Sequence, residues 1–294
     1  MFRTAYVNGR YVRHADAAVH VEDRGYQLAD GVYEVVELHE GDFIDLTGHL
    51  DRLDRSLSEL AIAAPMSRLA LVAVLREVAR RNRIRSGFVY LQVTRGVAPR
   101  DHAFPKTPVR PALVVTARPA DPAKGDAMAA AGVAAITRPD ERWDRVDIKT
   151  IGLLPNALAK QAAREAGALE AILVDADGHV TEGASTNVWI VTADGALVTR
   201  PADRGILRGI TRTTVLKVAA AEGLSVEERR FTVAEALAAR EVFLTSAGNL
   251  VMPIVTLDGR PIANGAPGSV ATRLRAAFRG VAEHVPLQGS NKSA

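Results

Sequence analysis

The sequence contains no cysteine among its 294 residues. Disulfides and thiolate metal sites are therefore excluded, and this composition fits a reducing compartment, so we expect a cytoplasmic protein. No apolar run reaches the roughly 20 residues that a membrane-spanning helix needs. Residues 1–14 also lack a continuous apolar segment, so we expect no membrane partner and no secretory signal there.

Lysine is scarce, because 6 of the 37 basic residues are lysines and the other 31 are arginines. The formal net charge is +3, but basic residues alternate with acidic ones, as in 51–55. A nucleic-acid-binding protein more often shows a basic run or face with aromatic residues for stacking. We therefore expect no nucleic-acid partner, and any chemistry that needs a lysine amine has six candidates.

Hydrophobic patterning predicts two α/β domains with mixed sheets. Period-two alternation and short apolar runs predict strands at 5–7, 10–12, 31–38, 43–46, 87–94, 112–116, 171–174, 188–191 and 242–245, with a short pair around 258–259. Apolar residues at spacings of three and four predict helices at 47–60, 67–83, 155–166, 211–222, 233–239 and 268–281.

Prolines and small residues between 119 and 126 favour neither helix nor strand. We therefore predict an interdomain linker over 120–127. It separates a small N-terminal α/β domain over 1–119 from a larger C-terminal domain over 128–287, and 288–294 is predicted to be a flexible tail.

Lys149 differs from most of the other lysines in its apolar neighbours, Ile148 and Ile151. Desolvation favours the neutral amine, which is the form that attacks a carbonyl group in Schiff-base chemistry. A lysine at the edge of a sheet, with its amine extended to water, would have the same neighbours. The residues alone leave both interpretations open.

Glu182 follows a predicted turn and precedes the hydroxyl residues Ser185 and Thr186. A fixed carboxylate beside a pyridine ring keeps the ring nitrogen protonated, so that the ring can draw electrons. The two hydroxyl groups are candidate hydrogen-bond partners in the same loop. A surface acid at the junction of a strand and a loop is the alternative interpretation.

Residues 204–212 place two glycines and Thr211 directly before a predicted helix. The free amides of Ile210 and Thr211, together with the helix dipole, could bind a phosphate group. Ser246 and Ala247 form a second short loop after a predicted strand, and Arg52 is a candidate cation. An ordinary capped helix and an exposed helix arginine are the alternatives.

Six ordered segments resemble the class IV (fold type IV) aminotransferases, which depend on pyridoxal 5′-phosphate. The segments are DRGYQLADGVYE at 23–34, HLDRL at 49–53, VTRG at 93–96, DIK at 147–149, TEG at 181–183 and GITR at 209–212. The resemblance runs from about residue 5 to about residue 285. It implies two α/β domains with the cofactor between them, of which the larger C-terminal domain binds the cofactor.

The resemblance also implies a role for each candidate residue. Lys149 would form the internal aldimine and move the proton between the substrate Cα and the cofactor C4′. Glu182 would pair with the pyridinium nitrogen, and Tyr33 would stand near the aldimine and the substrate. The phosphate would be bound by Arg52, Ile210, Thr211, Ser246 and Ala247. At Ala247 relatives often carry a hydroxyl residue, so one phosphate contact is expected to be missing.

The predicted substrate rests on Arg100 and His102 in the loop 95–105. D-amino-acid aminotransferases bind the substrate α-carboxylate with an Arg-x-His pair in this loop, which reaches in from the neighbouring subunit. The resemblance therefore implies a homodimer that moves the amino group of a D-amino acid, such as D-alanine, to 2-oxoglutarate or pyruvate. Val35 and Glu37 alternate from Tyr33 and are predicted to line the side-chain pocket on the same strand face.

Three other class IV activities stay open as alternatives. They are those of a branched-chain L-aminotransferase, an R-selective amine transaminase and an aminodeoxychorismate lyase. The Arg100–His102 pair argues against the first two, whereas the lyase shares much of the cofactor's surroundings.

Overall fold

The computed structural model describes residues 3–287, so the predicted tail at 288–294 lies outside the described residues. In that range the strands are β1 (Thr4–Val7), β2 (Arg10–Arg13), β3 (Gly31–His39), β4 (Asp42–Ile44), β5 (Gly87–Thr94), β6 (Ala112–Pro119), β7 (Val133–Pro139), β8 (Glu170–Val174), β9 (Val180–Gly183), β10 (Asn187–Val191), β11 (Leu197–Thr199), β12 (Val226–Glu228), β13 (Glu241–Ser246), β14 (Leu250–Leu257), β15 (Arg260–Pro261) and β16 (His284–Pro286). The helices are α1 (Arg24–Leu28), α2 (Leu46–Glu59), α3 (Arg68–Arg81), α4 (Pro122–Ala131), α5 (Leu154–Glu165), α6 (Ile210–Ala221), α7 (Val233–Ala238) and α8 (Ser269–Val281). Of the helices between residues 3 and 287, none has the length and apolar character to cross a membrane.

The chain divides into two compact units, and each of them is discontinuous in sequence. Among the described residues, the first unit comprises 3–122, Ile148–Gly152 and 283–287, and the second comprises Ala123–Asp147 and Leu153–Ala282. The predicted domains, in contrast, were continuous stretches. The difference arises because Thr150 pairs with Val32 of β3 and β16 pairs with β4. Such pairings between distant segments leave no signal in local hydrophobic patterns.

The segment predicted as a linker over 120–127 is helical over most of its length, because α4 begins at Pro122. Proline is tolerated in the first turn of a helix, where its missing N–H would have no intrahelical acceptor. The alanines that follow favour the helix, which ends before Gly132. The prediction that these prolines and small residues continue neither helix nor strand was therefore wrong for this segment.

The sheet of the first unit is antiparallel between all neighbouring strands that the structure describes. The strand order is β16-β4-β3-β5-β6-β1-β2. Along β3, one face is fully buried and packs with the apolar residues of α2 and α3 in one hydrophobic cluster. Tyr33, Val35 and Glu37 share the other, half-buried face, as the alternation predicted.

The sheet of the second unit is mixed, with the strand order β12-β11-β10-β13-β14-β7-β8-β9 and β15 paired to β14 among the described residues. The pairs β11–β12, β7–β14 and β7–β8 are parallel. In its interior Trp189 stacks on Phe243 with ring centroids 5.8 Å apart. The predicted class of two α/β units is confirmed, with the mixed sheet in the second unit.

Gly132 and Gly178 form a matched pair for testing how tightly the second unit is packed. Both have a positive φ, +74° and +82°. A Cβ on Gly132 would lie 2.2 Å from Cγ1 of Val255, whereas no described atom lies within 4 Å of a Cβ on Gly178.

We expect Gly178→Ala to lower the free energy of unfolding by about 1 kcal/mol, the cost of a left-handed alanine. Gly132→Ala should lower it by roughly 2–4 kcal/mol, because Val255 must also move. Urea denaturation of the two variants and the wild type measures both losses. Equal losses would show that Val255 gives way freely.

Candidate active site

Lys149 lies in a short extended segment of the first unit that runs antiparallel to the start of β3. The Tyr33 amide donates to the Lys149 carbonyl at 3.0 Å, and the Ile151 amide donates to the Gly31 carbonyl at 3.1 Å. The Lys149 amide in turn donates to the hydroxyl of Ser56 on α2, at 3.4 Å. Hydrogen bonds therefore fix the backbone of Lys149 to both β3 and α2.

The side chain of Lys149 is half-buried and lies against an aromatic surface. Its Nζ is 4.2 Å from the centroid of the Tyr33 ring, which is 5.7 Å from the ring centroid of Tyr90. Burial raises the pKa of Tyr90 to about 12, so this ring stays neutral near pH 7. The Lys149 amine therefore lies over the face of Tyr33, on the half-buried side of β3.

Arg52 is buried in the first unit and binds the carboxylate of Glu34. Its Nε donates to Oε1 and its Nη2 to Oε2 of Glu34, both at 2.8 Å. Nδ1 of His49, three residues before Arg52 on α2, lies 2.7 Å from the same Oε2. Burial acts to raise the pKa of Glu34, but Arg52 and His49 outweigh it and lower this pKa to about 2. Arg52 is thereby held in one orientation by an ionised carboxylate.

The alternation along β3 carries a sequence signal for this triad, because Glu34 shares a face with Val32 and Val36. Glu34 is a carboxylate on the fully buried face of β3, and a buried acid needs a cationic partner. Both Glu34 and His49 also lie in the segments that resemble class IV aminotransferases, although neither was assigned a role.

Arg100 and His102 lie in the loop between β5 and β6, and both are exposed. Within residues 3–287, neither side chain has a hydrogen-bond or ion-pair partner in this chain. The two ends of the loop meet closely at Gly96, which has a φ of +104°. A Cβ on Gly96 would lie 2.1 Å from the carbonyl oxygen of Arg110. The loop therefore presents both side chains outward from a closed base.

In the second unit, Asn187 links two of the elements that were predicted to bind the cofactor. Glu182 lies near the end of β9, and Asn187 begins β10. Nδ2 of Asn187 donates to Oε2 of Glu182 at 3.0 Å and to the Leu207 carbonyl at 2.9 Å. The Leu207 amide lies 3.2 Å from both carboxylate oxygens of Glu182. Glu182 is thus joined to the loop that leads into α6.

The N-terminus of α6 matches the predicted phosphate cradle. In the described part of the chain, no side chain caps this helix at Gly209. A Cβ on Gly209 would lie 2.1 Å from Oδ1 of Asn187, so glycine lets the buried amide side chain approach. The first amides of a helix, here those of Ile210 and Thr211, lack intrahelical acceptors and favour an anion. These donors fit the phosphate group of the predicted cofactor.

Ser246 and Ala247 lie at the end of β13, and both are half-buried. The hydroxyl of Ser246 accepts from the Asn249 amide at 3.2 Å, which leaves its own proton for another acceptor. Asn187 pairs with Thr245 across β10 and β13. The Ser246 loop therefore lies at the same end of the sheet as Asn187.

Arg142 is the cationic partner of Glu182, and the sequence did not predict it. Its Nη1 donates to Oε1 of Glu182, while its Nε and Nη2 donate to Asp140 at 2.8 and 2.7 Å. Burial raises the pKa of Glu182, and the charge of Arg142 opposes that rise. For Arg142, burial acts to lower the pKa, but Asp140 and Glu182 raise it above its ordinary value. The guanidinium therefore stays charged and favours the ionised form of Glu182.

Ser185 and Thr186 have a different partner from the one expected. Their hydroxyls donate to Oε2 of Glu170, at 2.8 and 3.2 Å, and Glu170 is completely buried. A Cβ on Gly183 would lie 2.0 Å from the Thr186 hydroxyl. Glu170 thus fixes the turn between β9 and β10, which follows Glu182 in the sequence.

Comparison with known proteins agrees with this set of residues. Residues 31–257 match the family described as amino-transferase class IV, which is more than half of the chain. The chain therefore belongs to this family and is a pyridoxal-phosphate-dependent aminotransferase. The predicted family, enzyme class and cofactor are confirmed.

Individual relatives are similar over nearly their whole lengths. The D-alanine aminotransferase of Bacillus licheniformis is 43% identical over 272 residues, which cover 92% of this chain and 94% of the relative. That of Staphylococcus epidermidis is 37% identical over 273 residues, covering 93% and 95%. Among solved structures, the branched-chain amino acid aminotransferase of Escherichia coli has a TM-score of 0.87, 25% identity and coverage of 100% of this chain and 98% of that one. The predicted fold type is confirmed.

The ionised Glu34 should make the stability of the protein depend on pH. Its folded-state pKa of about 2 lies below that of an unfolded glutamate. Its contribution is therefore complete above about pH 5 and is lost as the pH falls toward 2, and it is on the order of 3 kcal/mol.

We expect Glu34→Gln to remove this contribution and to flatten the loss of stability between pH 5 and 3, as measured by denaturant titration at each pH. Glu77→Gln is the control, because the pKa of Glu77 is also about 2 but its ion pairs lie on the surface of α3, where solvent screens them. A wild-type slope in the Glu34 variant would contradict the assignment.

Proposed function

We propose that this protein moves the amino group of a D-amino acid, such as D-alanine, to a 2-oxo acid such as 2-oxoglutarate or pyruvate. The observation that carries this proposal is the exposed, unpartnered pair Arg100 and His102 on a loop that is closed at its base. The D-alanine aminotransferases at 37% and 43% identity support it. The branched-chain aminotransferase of Escherichia coli shares the fold at a lower identity of 25%.

Lys149 is the proposed attachment point of the cofactor and the base that moves the proton at the substrate Cα. The bound cofactor supplies a pyridinium ring that withdraws electrons from that carbon. The half-buried amine over the Tyr33 ring supports the assignment of Lys149. Glu182 is the proposed partner of the ring nitrogen, since Arg142, Asn187 and Leu207 hold its carboxylate in place.

For the cofactor phosphate we propose donors from four residues and a fifth residue that has no side-chain donor. They are the guanidinium of Arg52, the amides of Ile210 and Thr211, the hydroxyl of Ser246 and the backbone at Ala247. The missing hydroxyl at Ala247 would cost about 1 kcal/mol of binding free energy unless a water molecule replaces it.

Arg100 and His102 are proposed to bind the substrate α-carboxylate in the active site of the neighbouring subunit of a homodimer. A guanidinium binds a carboxylate through two parallel hydrogen bonds, and an imidazole can add a third. Tyr33, which contacts the Lys149 side chain, is the proposed substrate contact within the same subunit. The homodimer and the cytoplasmic location stay predictions.

Lys149→Ala should abolish the covalently attached cofactor. Purified wild-type protein is expected to be yellow, to lose its visible band on borohydride reduction, and to retain the added cofactor mass at Lys149 in peptide mass spectrometry. Lys124→Ala is the control, because Lys124 is exposed on α4 and should leave both signals unchanged. A visible band and cofactor mass in the Lys149 variant would rule out this attachment point.

A half-reaction screen tests the substrate. The cofactor absorbance is followed while D-alanine, L-leucine and (R)-1-phenylethylamine are added separately, and we expect D-alanine to give the strongest response. Arg100→Met should raise the D-alanine concentration for a half-maximal response about tenfold, since a charge-assisted pair is lost. Any response to the amine should not change, because the amine has no carboxylate. A response to L-leucine alone would overturn the proposed stereochemistry.

A further inference from the structure

Arg24 is a buried arginine to which the reaction proposed above assigns no role. It lies in the segment 23–34 that resembles class IV aminotransferases, and 2% of its side chain is exposed. Its Nε donates to Oδ2 of Asp30 at 2.7 Å. A buried charge needs such a partner, so Asp30 compensates the buried charge of Arg24 on the Nε side of its guanidinium.

The other end of the Arg24 guanidinium reaches the loop that carries Arg100 and His102. Nη1 donates to the Asp101 carbonyl at 2.6 Å, and Nη2 donates to the His102 carbonyl at 3.5 Å. These two carbonyls belong to the peptide groups on either side of the His102 Cα. Arg24 therefore holds both peptide planes that orient the His102 side chain.

Asp30 is shared between Arg24 and a second buried arginine, Arg95. Nε and Nη2 of Arg95 donate to Asp30 at 2.7 and 3.0 Å, and the same guanidinium binds two backbone carbonyls that follow α2. The ring of Phe104 covers this guanidinium, with the Arg95 Cζ 3.6 Å from the ring centroid. The loop is thus held at Asp101–His102 by Arg24 and at Phe104 by Arg95.

The held backbone contrasts with the Arg100 and His102 side chains, which are exposed and have no partner among the described residues of this chain. A loop bound through its carbonyls keeps its side chains available for a ligand. Ordering a flexible loop on binding costs conformational entropy, which lowers affinity. A loop that is already ordered avoids this cost.

We propose that Arg24 is a positioning residue that preorganises the loop for carboxylate binding, with Asp30 and Arg95 as its anchors. Only the identity of the ligand rests on the proposed function, because the anchoring of the loop is independent of it. Arg24 controls the affinity for substrates that carry a carboxylate, and it does not take part in proton transfer.

Arg24→Lys tests this role. A lysine keeps the positive charge beside Asp30, but one ammonium group cannot bind Asp30 and two loop carbonyls in the geometry of a guanidinium. In the purified full-length protein without substrate, we expect faster hydrogen exchange in peptides that cover 99–106. The KM for D-alanine should rise about tenfold with a smaller change in kcat, as expected for a misplaced binding group.

Arg229→Lys, in the second unit, is the control, because Nη1 of Arg229 likewise binds a carboxylate, that of Glu235, and a backbone carbonyl, that of Arg230, while its Nε binds Glu227. It should change neither the exchange of the loop nor the KM. Phe104→Leu is a second variant, at an exposed position, that removes the ring over Arg95. It should increase the hydrogen exchange at 99–106 and the KM for D-alanine by less than Arg24→Lys does. It keeps the test valid if Arg24→Lys does not fold.

Unchanged exchange at 99–106 in Arg24→Lys would overturn the proposal, as would faster exchange with an unchanged KM for D-alanine. Faster exchange throughout the protein would assign Arg24 a general structural role and would also overturn it. If the wild type does not respond to D-alanine, the proposed function fails. The exchange at 99–106 then still decides whether Arg24 anchors the loop.

Discussion

The first unit depends on the ion pair between Glu34 and Arg52. A carboxylate on the buried face of β3 costs several kcal/mol of desolvation unless a cation meets it. Here Arg52 is that cation, and Nδ1 of His49 lies 2.7 Å from the same carboxylate. The pairing fixes α2 against β3. Because neighbouring residues of a strand point to opposite faces, the strand that buries Glu34 also presents Tyr33 to the amine of Lys149. The alternation of side chains along β3 therefore explains both the anchoring of Arg52 and the placement of Tyr33.

The same physical rule governs the second unit, where Glu182 is buried beside Arg142. In both places a carboxylate receives a cation and further donors, so that its charge and its direction are fixed together. Arg52 already binds both oxygens of Glu34 and so limits the rotation of that carboxylate. His49 beside Glu34, and Asn187 with the Leu207 amide beside Glu182, restrict each carboxylate further. Preorganised charges of this kind favour one protonation state of a bound group without reorganisation during the reaction.

Periodicity is a local property, and it predicted the strands of the first unit except β16 and the helices except α1 and α4. In the second unit it missed β7, β9, β11, β12 and most of β14. It placed Tyr33, Val35 and Glu37 on one face and identified the start of α6. Lys149 needed the family resemblance, since its apolar neighbours also fit a lysine at a sheet edge. Arg142 and Asn187 were missed because their roles depend on contacts with Glu182, which lies 40 and 5 residues away. Likewise, the return of Ile148–Gly152 to the first unit depends on a pairing with β3 that no local pattern records.

The shared fold limits where substrate specificity can lie. A branched-chain aminotransferase superposes with a TM-score of 0.87, although the sequence is more similar to D-alanine aminotransferases at 43% identity. Because this fold occurs in a protein named for branched-chain amino acids, we expect selection of the proposed D-amino acid to depend on side chains and loops that the scaffold carries. Loops tolerate sequence change better than strands do, and the carboxylate binding proposed for this loop costs less free energy when the loop is already ordered. Arg24 and Arg95 are buried around Asp30 and tie the loop to the scaffold through backbone carbonyls. The loop is therefore ordered, while the sequence of its exposed side chains can still vary.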